Sequence, residues 1–197
     1  THLTLFYKNL GYKTVVVDIK RRHEFLDYRY CDYYYARDLT IQGIGEFLHN
    51  FNFSYIFQMA SLMGGMGYIC GNNDFDIMSQ SSLININLLN SCKYFKYNGK
   101  MLFSSSACIY SNILDFQNPS CKEDSAYPAM PDSDYGWEKL FSERLYKSYD
   151  QFYEARIARF HNIYGPEGTY DGERAKAPAA LSRKLALAKD SDYIEVW

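Results

Sequence analysis

The stretch Met101-Leu102-Phe103-Ser104-Ser105-Ser106-Ala107-Cys108-Ile109-Tyr110 decides the fold, because an apolar strand leads directly into a serine cluster. A second stretch, Tyr135-Gly136-Trp137-Glu138-Lys139, places a tyrosine and a lysine four residues apart on a predicted helix. That spacing brings both side chains to one helix face, where the ammonium can lower the pKa of the phenol. Ser106 can hydrogen-bond the same reacting oxygen. Hydride transfer at an alcohol carbon requires these three side chains, so the pattern predicts a nicotinamide-dependent enzyme.

Apolar strands alternate with helical segments along the chain, which is the pattern of a parallel α/β sheet. Strands are predicted at residues 14–17, 53–59, 100–103 and 155–160, with weaker candidates at 33–36 and 193–196. Helices are predicted at residues 41–51, 75–97, 133–152 and 178–189. Asp132 and Ser133 supply the cap of the third helix. The expected fold class is therefore α/β, with a Rossmann-type doubly wound parallel sheet.

Elements expected of a whole dinucleotide-binding fold are missing at both ends of the sequence. Residues 1–10 are predicted to be the tail of a helix, and the strand and Gly-rich turn that would precede it are missing from the 197 residues. After residue 193 the sequence stops within a predicted strand, before most of a C-terminal substrate domain. We therefore expect residues 1–197 to form a single incomplete NAD-binding Rossmann-type domain, with residues 165–197 beginning the substrate-binding part.

The composition argues against several classes of protein. Charges nearly cancel, since 21 Lys and Arg stand against 23 Asp and Glu, so no nucleic-acid partner is expected. The five cysteines form no C-x-x-C pair, which argues against a disulfide framework or a metal site and for a reducing compartment. No apolar run approaches the ~20 residues that span a bilayer, and the first residues do not match a signal peptide. We expect a cytoplasmic protein with no bound metal and no membrane partner.

Three positions at predicted strand ends are candidate cofactor contacts. Asp18 ends the first strand, where an acidic residue receives the adenosine ribose hydroxyls of NAD; a surface aspartate at a strand end is an equal alternative. Asp38 follows the weak strand, at the usual place for an adenine contact. Ala60 belongs to the strand before Gly64-Gly65-Met66-Gly67, where the backbone can approach a cofactor or sugar closely. A plain flexible turn is the alternative for the glycines.

Further candidates lie after the serine cluster and after the fourth strand. Cys108 can face the same cleft as Ser106, although a free cysteine is usually a small buried hydrophobe. Its thiol becomes a candidate base only where neighbours lower its pKa. Asn162 can hold a sugar or phosphate oxygen. The stretch Glu173-Arg174-Ala175-Lys176-Ala177-Pro178 opens a helix carrying Lys184, and a cationic helix start suits a diphosphate, with a solvated charged face as the alternative.

Five segments of this sequence have a more specific combined pattern. They are Met63-Gly64-Gly65-Met66-Gly67-Tyr68-Ile69, Ser105-Ser106-Ala107-Cys108-Ile109-Tyr110, Tyr135-Gly136-Trp137-Glu138-Lys139, Ala158-Arg159-Phe160-His161-Asn162-Ile163-Tyr164-Gly165-Pro166 and Lys176-Ala177-Pro178-Ala179-Ala180. Taken together they resemble the GDP-mannose 3,5-epimerase family of the extended short-chain dehydrogenase/reductase superfamily, over nearly the whole chain. Leu62 and Ser111 depart from the family pattern, which has an acidic residue and a proline at these places.

The resemblance implies a staged reaction on GDP-D-mannose that gives GDP-L-galactose, towards ascorbate and cell-wall sugars. Bound NAD, with Tyr135 as base, oxidises C4 of the sugar, and the matching Cys108 and Lys176 then exchange protons at C3 and C5. The implied catalytic residues are Ser106, Cys108, Tyr135, Lys139 and Lys176. The implied cofactor contacts are Asp18, Asp38, Ala60, Tyr135 and Lys139, and the implied substrate contacts are Gly64, Ser106, Cys108, Asn162, Ala175, Lys176, Ala177 and Lys184.

Two other interpretations stay open at this point. A related nucleotide-sugar 4-epimerase or 4,6-dehydratase would keep Ser106, Tyr135 and Lys139 without needing Cys108 and Lys176 as a pair. A truncated, non-catalytic homologue is the second alternative. Family members are commonly homodimers built through two long helices, which correspond here to residues 75–97 and 133–152, so a homodimer is expected from the resemblance.

Overall fold

The computed structural model describes residues 2–21, 30–41, 43–69, 71–110, 121–149, 154–172, 174–189 and 192–194. In chain order the elements are α1 (His2–Asn9), β1 (Val15–Asp18), β2 (Tyr33–Ala36), α2 (Gly45–Asn50), β3 (Tyr55–Gln58), α3 (Met66–Ile69), α4 (Asp74–Tyr94), β4 (Lys100–Ser106), α5 (Asp134–Tyr149), β5 (Glu154–Phe160) and α6 (Ala177–Leu187). Short 3-10 turns follow β4 at Ala107–Ile109 and precede α5 at Glu123–Ala126. The alternation of strands and helices confirms the α/β class.

All strand pairs of the structure are parallel, as the sequence predicts. β1 pairs with β2, and β3, β4 and β5 form a second sheet in that order. Among the described residues, no hydrogen-bonded strand pair joins β1 to β3. The doubly wound order 3-2-1-4-5-6 places its first strand between the second and the fourth, and β1 and β3 correspond to these two neighbours. No described strand occupies the position between them, and the sheet accordingly appears in two parts.

One apolar core serves both sheets. Its buried members come mainly from α2, α4, β4 and α5, and Phe103 stacks on Tyr146 with ring centroids 4.4 Å apart. Val17 of β1 and Ile56 of β3 both pack against this core. Burial of such side chains contributes about 25 cal/mol per Å² of apolar surface, and this burial is shared by strands of both sheets.

Several predicted boundaries are wrong, each for a local physical reason. Helix α4 ends at Tyr94 rather than at residue 97, because Lys96 adopts a φ of 52° and the Tyr97 amide bonds the Cys92 carbonyl. Glycine usually occupies this position at the end of a helix, so a lysine there gives no sign in the sequence that the helix ends. Helix α2 begins at Gly45 rather than at residue 41, after a turn closed by Asp38.

The other differences lie near the serine cluster and at the sequence ends. β4 continues to Ser106 instead of ending at residue 103, because its last three residues pair with residues 158–160 of β5, and the Ser104 hydroxyl donates to the Gln58 carbonyl. The glycine-rich stretch 64–67, for which the sequence predicts a close backbone approach with a flexible turn as the alternative, leads into the short helix α3. Residues 192–194 form no strand, and the rest of the strand predicted at 193–196 lies outside the described residues, as do the end of the helix predicted at 133–152 and position 111.

Candidate functional site

The first turn of α5 lies against the 3-10 turn that follows β4. Ser133 caps the helix as predicted, since its hydroxyl accepts a hydrogen bond from the Gly136 amide at 3.3 Å. A Cβ on Gly136 would overlap the carbonyl oxygen of Cys108 and lie 2.9 Å from Cβ of Pro131. Only glycine permits this approach, which brings the neighbouring Tyr135 up to the turn.

Ser106, Cys108 and Tyr135 are brought together by this contact. The Ser106 hydroxyl accepts a hydrogen bond from the Cys108 amide at 3.2 Å, which fixes the turn between them. Cys108 packs against a small apolar cluster formed by Tyr135, Ile69 and Ile77. The Ser106 hydroxyl also lies near enough to the Tyr135 phenol to oppose a rise in its pKa. Three of the five predicted catalytic side chains therefore share one location.

The pKa of Tyr135 shifts in the direction opposite to the one that the sequence predicted. Burial raises the pKa to about 12, and the nearby Cys108 and Glu138 add to the rise, while the nearby Ser106 hydroxyl opposes it. Lys139, the group expected to lower the pKa, donates its ammonium to the Ser104 carbonyl at 3.2 Å. Its nitrogen lies 5.7 Å from the centroid of the Tyr135 ring. Tyr135 and Lys139 share one face of α5, as their spacing predicts. The pKa of the phenol nevertheless rises, because loss of solvent around the phenol has a larger effect than a nearby ammonium.

Lys139 and Glu138 form a buried pair, and the importance of Glu138 was missed. The Lys139 nitrogen lies 3.9 Å from Oε2 of Glu138, and both side chains are almost completely inaccessible to solvent. Burial lowers the pKa of Lys139 and raises the pKa of Glu138, and their mutual attraction opposes both shifts. Within the described residues, Oε2 of Glu138 has no hydrogen-bond partner. No signal in the sequence distinguishes Glu138 from a surface glutamate, because its burial depends on the packing of α5 against other elements.

A buried polar network surrounds the other carboxylate oxygen of Glu138. Asn85 of α4 donates to Oε1 of Glu138 at 3.3 Å and to the hydroxyl of Ser142 at 3.0 Å, and Ser142 itself donates to Glu138 at 2.7 Å. Gln58 at the end of β3 donates to Asn85 at 3.0 Å. The network ties α4, α5 and β3 together beneath the candidate site, because buried polar groups need hydrogen-bond partners.

The candidate cofactor contacts lie at the carboxyl ends of parallel strands. Asp18 ends β1 and its Oδ1 accepts the Lys20 amide, while Asp38 follows β2 and accepts the Thr40 amide and hydroxyl. Ala60 follows β3, and its backbone is held by the Gln58 side chain. Nucleotides bind at this edge of open α/β sheets, so carboxylates here fit the ribose end of a dinucleotide. Tyr135 and Lys139 beside the end of β4 fit its nicotinamide end.

Lys176 reaches the same region from the segment before α6. Its ammonium donates to the Gly64 carbonyl at 2.8 Å, and the Arg174 guanidinium lies 4.4 Å from the centroid of the Tyr68 ring. Tyr68 packs against the apolar cluster that contains Tyr135 and Cys108. A Cβ on Gly64 would lie 2.6 Å from Cβ of Tyr68, so glycine permits this close packing. Lys176 is therefore linked through Gly64 and Tyr68 to the apolar cluster against which Cys108 packs.

The remaining predicted substrate contacts are less closely tied to this cluster. Asn162 is exposed in the loop after β5, and the Ala175 amide bonds the Gly172 carbonyl in a turn. Ala177 is the first residue of α6, and Lys184 lies in its last turn. Their roles stay predictions. Among the described residues, no group of three or more metal-binding side chains occurs, and no helix has the length and hydropathy to span a membrane.

Comparisons with known proteins point to one family. Residues 1–197 match the family described as NAD dependent epimerase/dehydratase. The chain is 36% identical over 211 residues to the GDP-mannose 3,5-epimerase of Arabidopsis thaliana, and 36% identical over 202 residues to GDP-mannose 3,5-epimerase 1 of Oryza sativa subsp. indica. In each case the alignment covers 100% of this chain and 52% of the relative. The chain thus spans about half the length of the curated relatives it matches.

Solved structures share the fold. The UDP-glucose 4-epimerase of Thermotoga maritima, solved with UDP-glucose, superposes with a TM-score of 0.77 at 20% identity, over 93% of this chain and 58% of that one. The UDP-glucose 4-epimerase of Thermus thermophilus, solved with NAD, gives a TM-score of 0.71 at 20% identity, over 93% of this chain and 57% of that one.

Proposed function

This chain belongs to the NAD dependent epimerase/dehydratase family, and on that premise we propose that it serves a nucleotide-sugar epimerase that converts GDP-D-mannose to GDP-L-galactose. The observation that carries the proposal is the convergence of Ser106, Cys108 and Tyr135 where α5 meets the turn after β4. A thiol in that place has no purpose in simple alcohol oxidation. The relatives named GDP-mannose 3,5-epimerase support the choice of substrate.

NAD is the proposed cofactor, and the positions at the strand ends are the ones that would hold it. Asp18 would receive the ribose hydroxyls, Asp38 and Ala60 would border the adenine side, and Tyr135 with Lys139 would border the nicotinamide side. When bound, NAD supplies a reversible acceptor for the hydride on C4 of the sugar.

Tyr135 and Ser106 act on the C4 hydroxyl in this proposal. The Tyr135 phenolate takes the hydroxyl proton and becomes the phenol, while the Ser106 hydroxyl donates a hydrogen bond to the same oxygen, a pair of roles that the proximity of the two side chains supports. A protonated Lys139 is the cation available to counter the raised pKa of the phenol, since its nitrogen lies 5.7 Å from the ring centroid. The Glu138 carboxyl group lies 3.9 Å from the Lys139 nitrogen, where it favours the protonated form of that amine.

Cys108 and Lys176 act on the carbon-bound hydrogens. Once C4 is a ketone, a C–H bond at C3 or C5 breaks and its electron pair delocalises onto the C4 oxygen, while the proton goes to one of the two side chains. Return of a proton to the opposite face inverts the carbon. Inversion needs groups on both faces of the ring, which a thiol from the turn after β4 and an amine from the segment before α6 can provide.

The proposal extends to the organisation of the protein. Residues 1–197 are assigned to a single NAD-binding Rossmann-type domain, with residues 165–197 beginning the substrate-binding part. A cytoplasmic homodimer is proposed, joined through α4 and α5. Exposed apolar side chains on these helices, Leu83 on α4 and Phe141 on α5, support that interface. Sedimentation of the Phe141→Lys variant tests it: a monomer is expected, and an unchanged dimer would contradict this interface.

Exchange of the carbon-bound hydrogens tests the reaction directly. The full-length gene product is incubated with NAD and GDP-D-mannose in heavy water, and deuterium at C3 and C5 of the sugar is measured by NMR. We expect exchange at both carbons, and Cys108→Ser is expected to lose the double inversion. Cys121→Ser, at an exposed cysteine, is the matched control and is expected to behave as wild type.

The same experiment separates the alternatives. A 4-epimerase or a 4,6-dehydratase depends on Ser106, Tyr135 and Lys139, so product formation unaffected by Cys108→Ser would exclude the 3,5-epimerisation. Calorimetric titration with NAD addresses a non-catalytic homologue, because a protein of that kind is expected to show no binding heat. Measurable binding that is weakened in Asp18→Ala supports the cofactor assignment.

A further inference from the structure

Arg159 of β5 makes a forked ion pair with Glu143 of α5. Its Nε and Nη2 each donate at 2.9 Å to a different carboxylate oxygen of Glu143. The Glu143 side chain is 1% exposed and the Arg159 side chain 13% exposed, so solvent screens the pair little. Bidentate guanidinium–carboxylate pairs fix both partners in a plane, which makes the contact directional as well as strong.

The same two residues hold both sides of the turn that carries Ser106 and Cys108. On one side, the Ser105 hydroxyl donates to Oε1 of Glu143 at 2.6 Å. On the other side, Nη1 of Arg159 donates to the Tyr110 hydroxyl at 3.1 Å.

Two further contacts complete this arrangement. Nη1 of Arg159 also donates to the Glu123 carbonyl at 2.7 Å, in the 3-10 turn before α5. The guanidinium lies 5.2 Å from the centroid of the Tyr110 ring. The Arg159 side chain therefore links β5 to α5, to Tyr110 after the turn with Ser106 and Cys108, and to the segment that leads into α5.

The position of Glu143 on α5 connects the Arg159–Glu143 ion pair to the candidate site. Glu143 follows Tyr135 by eight residues, just over two helical turns, so both face the end of β4. We propose that Arg159 is a positioning residue that, through Glu143 and Tyr110, holds the turn with Ser106 and Cys108 at its place beside Tyr135. The roles of those three residues rest on the proposed function, but the holding of the turn does not.

Lysine cannot replace arginine here. An ammonium is a point charge, whereas the four hydrogen bonds of Arg159 need the spread of a guanidinium. The neighbouring Arg156 provides a matched control on the same strand, because it pairs with Glu154 at the protein surface, where exposed ion pairs contribute little. Arg159→Lys and Arg156→Lys are therefore the same chemical change in two different settings.

The alkylation rate of Cys108 measures the position of the turn without any enzyme assay. The native full-length gene product is treated with iodoacetamide, and modification of Cys108 is followed by peptide mass spectrometry, with exposed Cys121 as the internal reference. Arg159→Lys is expected to raise the Cys108 rate about tenfold by local opening, with Cys121 unchanged. Arg156→Lys is expected to leave both rates as in wild type.

Tyr110→Phe keeps the test decisive if Arg159→Lys fails to fold, because it removes a single hydroxyl. It is expected to raise the Cys108 rate roughly two- to threefold, the effect of one weakened hydrogen bond. Unfolding free energies are measured for every variant. A lower stability with an unchanged Cys108 rate in the folded variants would overturn the proposal in favour of a merely structural ion pair. In an active epimerase, kcat is expected to fall with little change in KM, whereas failure of the proposed function removes only this last readout.

Discussion

Replacing Gly136 by alanine tests the close approach of α5 to the turn that carries Cys108. The added Cβ would lie 2.9 Å from Cβ of Pro131 and 3.1 Å from the Cys108 carbonyl carbon, and it would overlap the carbonyl oxygen. Restoring ordinary carbon–carbon contacts of about 3.5–4.0 Å requires the turn and the helix to separate by roughly 0.5–1 Å. A backbone neighbour cannot rotate away, so the turn itself must move.

The magnitude follows from two opposing effects. Overpacking costs about 1–3 kcal/mol, and the backbone position of the clash favours the upper part of that range. Alanine in place of glycine within a helix recovers at most about 1 kcal/mol. We therefore expect Gly136→Ala to lose about 2 kcal/mol of unfolding free energy, the difference between the upper cost and that gain.

Thermal and urea unfolding, followed by circular dichroism, measure this loss. At about 2–4 °C per kcal/mol for a chain of this size, the midpoint is expected to fall by roughly 4–8 °C. Ser148→Ala, at an exposed position on the same helix, is the control and is expected to stay within about 0.5 kcal/mol of wild type. A Gly136→Ala variant as stable as wild type, or more stable, would refute the close approach and leave only helix propensity at work.

Three further changes test the core, the phenol and the helix cap. Asn85→Leu is expected to cost about 2–3 kcal/mol in urea unfolding, because it removes the buried amide that bonds Glu138; unchanged stability would contradict the network. Burial raises the pKa of Tyr135 from 10.0 to about 12, so the protonated phenol contributes stability fully below pH 10, and that contribution is lost as the pH rises through about 12. Tyr135→Phe is thus expected to lose less stability than wild type over this alkaline range, and parallel pH curves would count against the shift. Ser133→Ala is expected to cost about 1 kcal/mol through the lost cap, more than Ser148→Ala, and equal effects would disprove the capping role.

Much of the fold could be predicted because strands and helices have a local pattern. The valines of β1 and the motif lysine and tyrosine of α5 lie where their spacing placed them. The end of β4 could not be predicted, since Ser104 to Ser106 join the strand by pairing with β5, a segment about fifty residues further along the chain, and the Ser105 hydroxyl finds its acceptor on α5. Lys96 likewise ends α4 in a conformation that its residue type does not indicate.

The sequence predicted which residues form the candidate site, but not how burial and neighbouring charges change their pKa values. Spacing identified Ser106, Tyr135 and Lys139, and the structure brings them to one end of β4. The buried charge of Glu138 and the holding role of Arg159 were not predicted. Neither residue differs in sequence from an ordinary surface charge.

The sequence by itself determined the parallel α/β architecture and which side chains share the first turns of α5, because hydrophobic period and helical spacing are properties of neighbours along the chain. Only the tertiary structure decided that burial raises the pKa of Tyr135 to about 12 and that Arg159 and Glu143 together link both flanks of the turn around Cys108. Desolvation and ion pairing depend on groups from distant segments, and these meet only when β4, β5 and α5 are packed together.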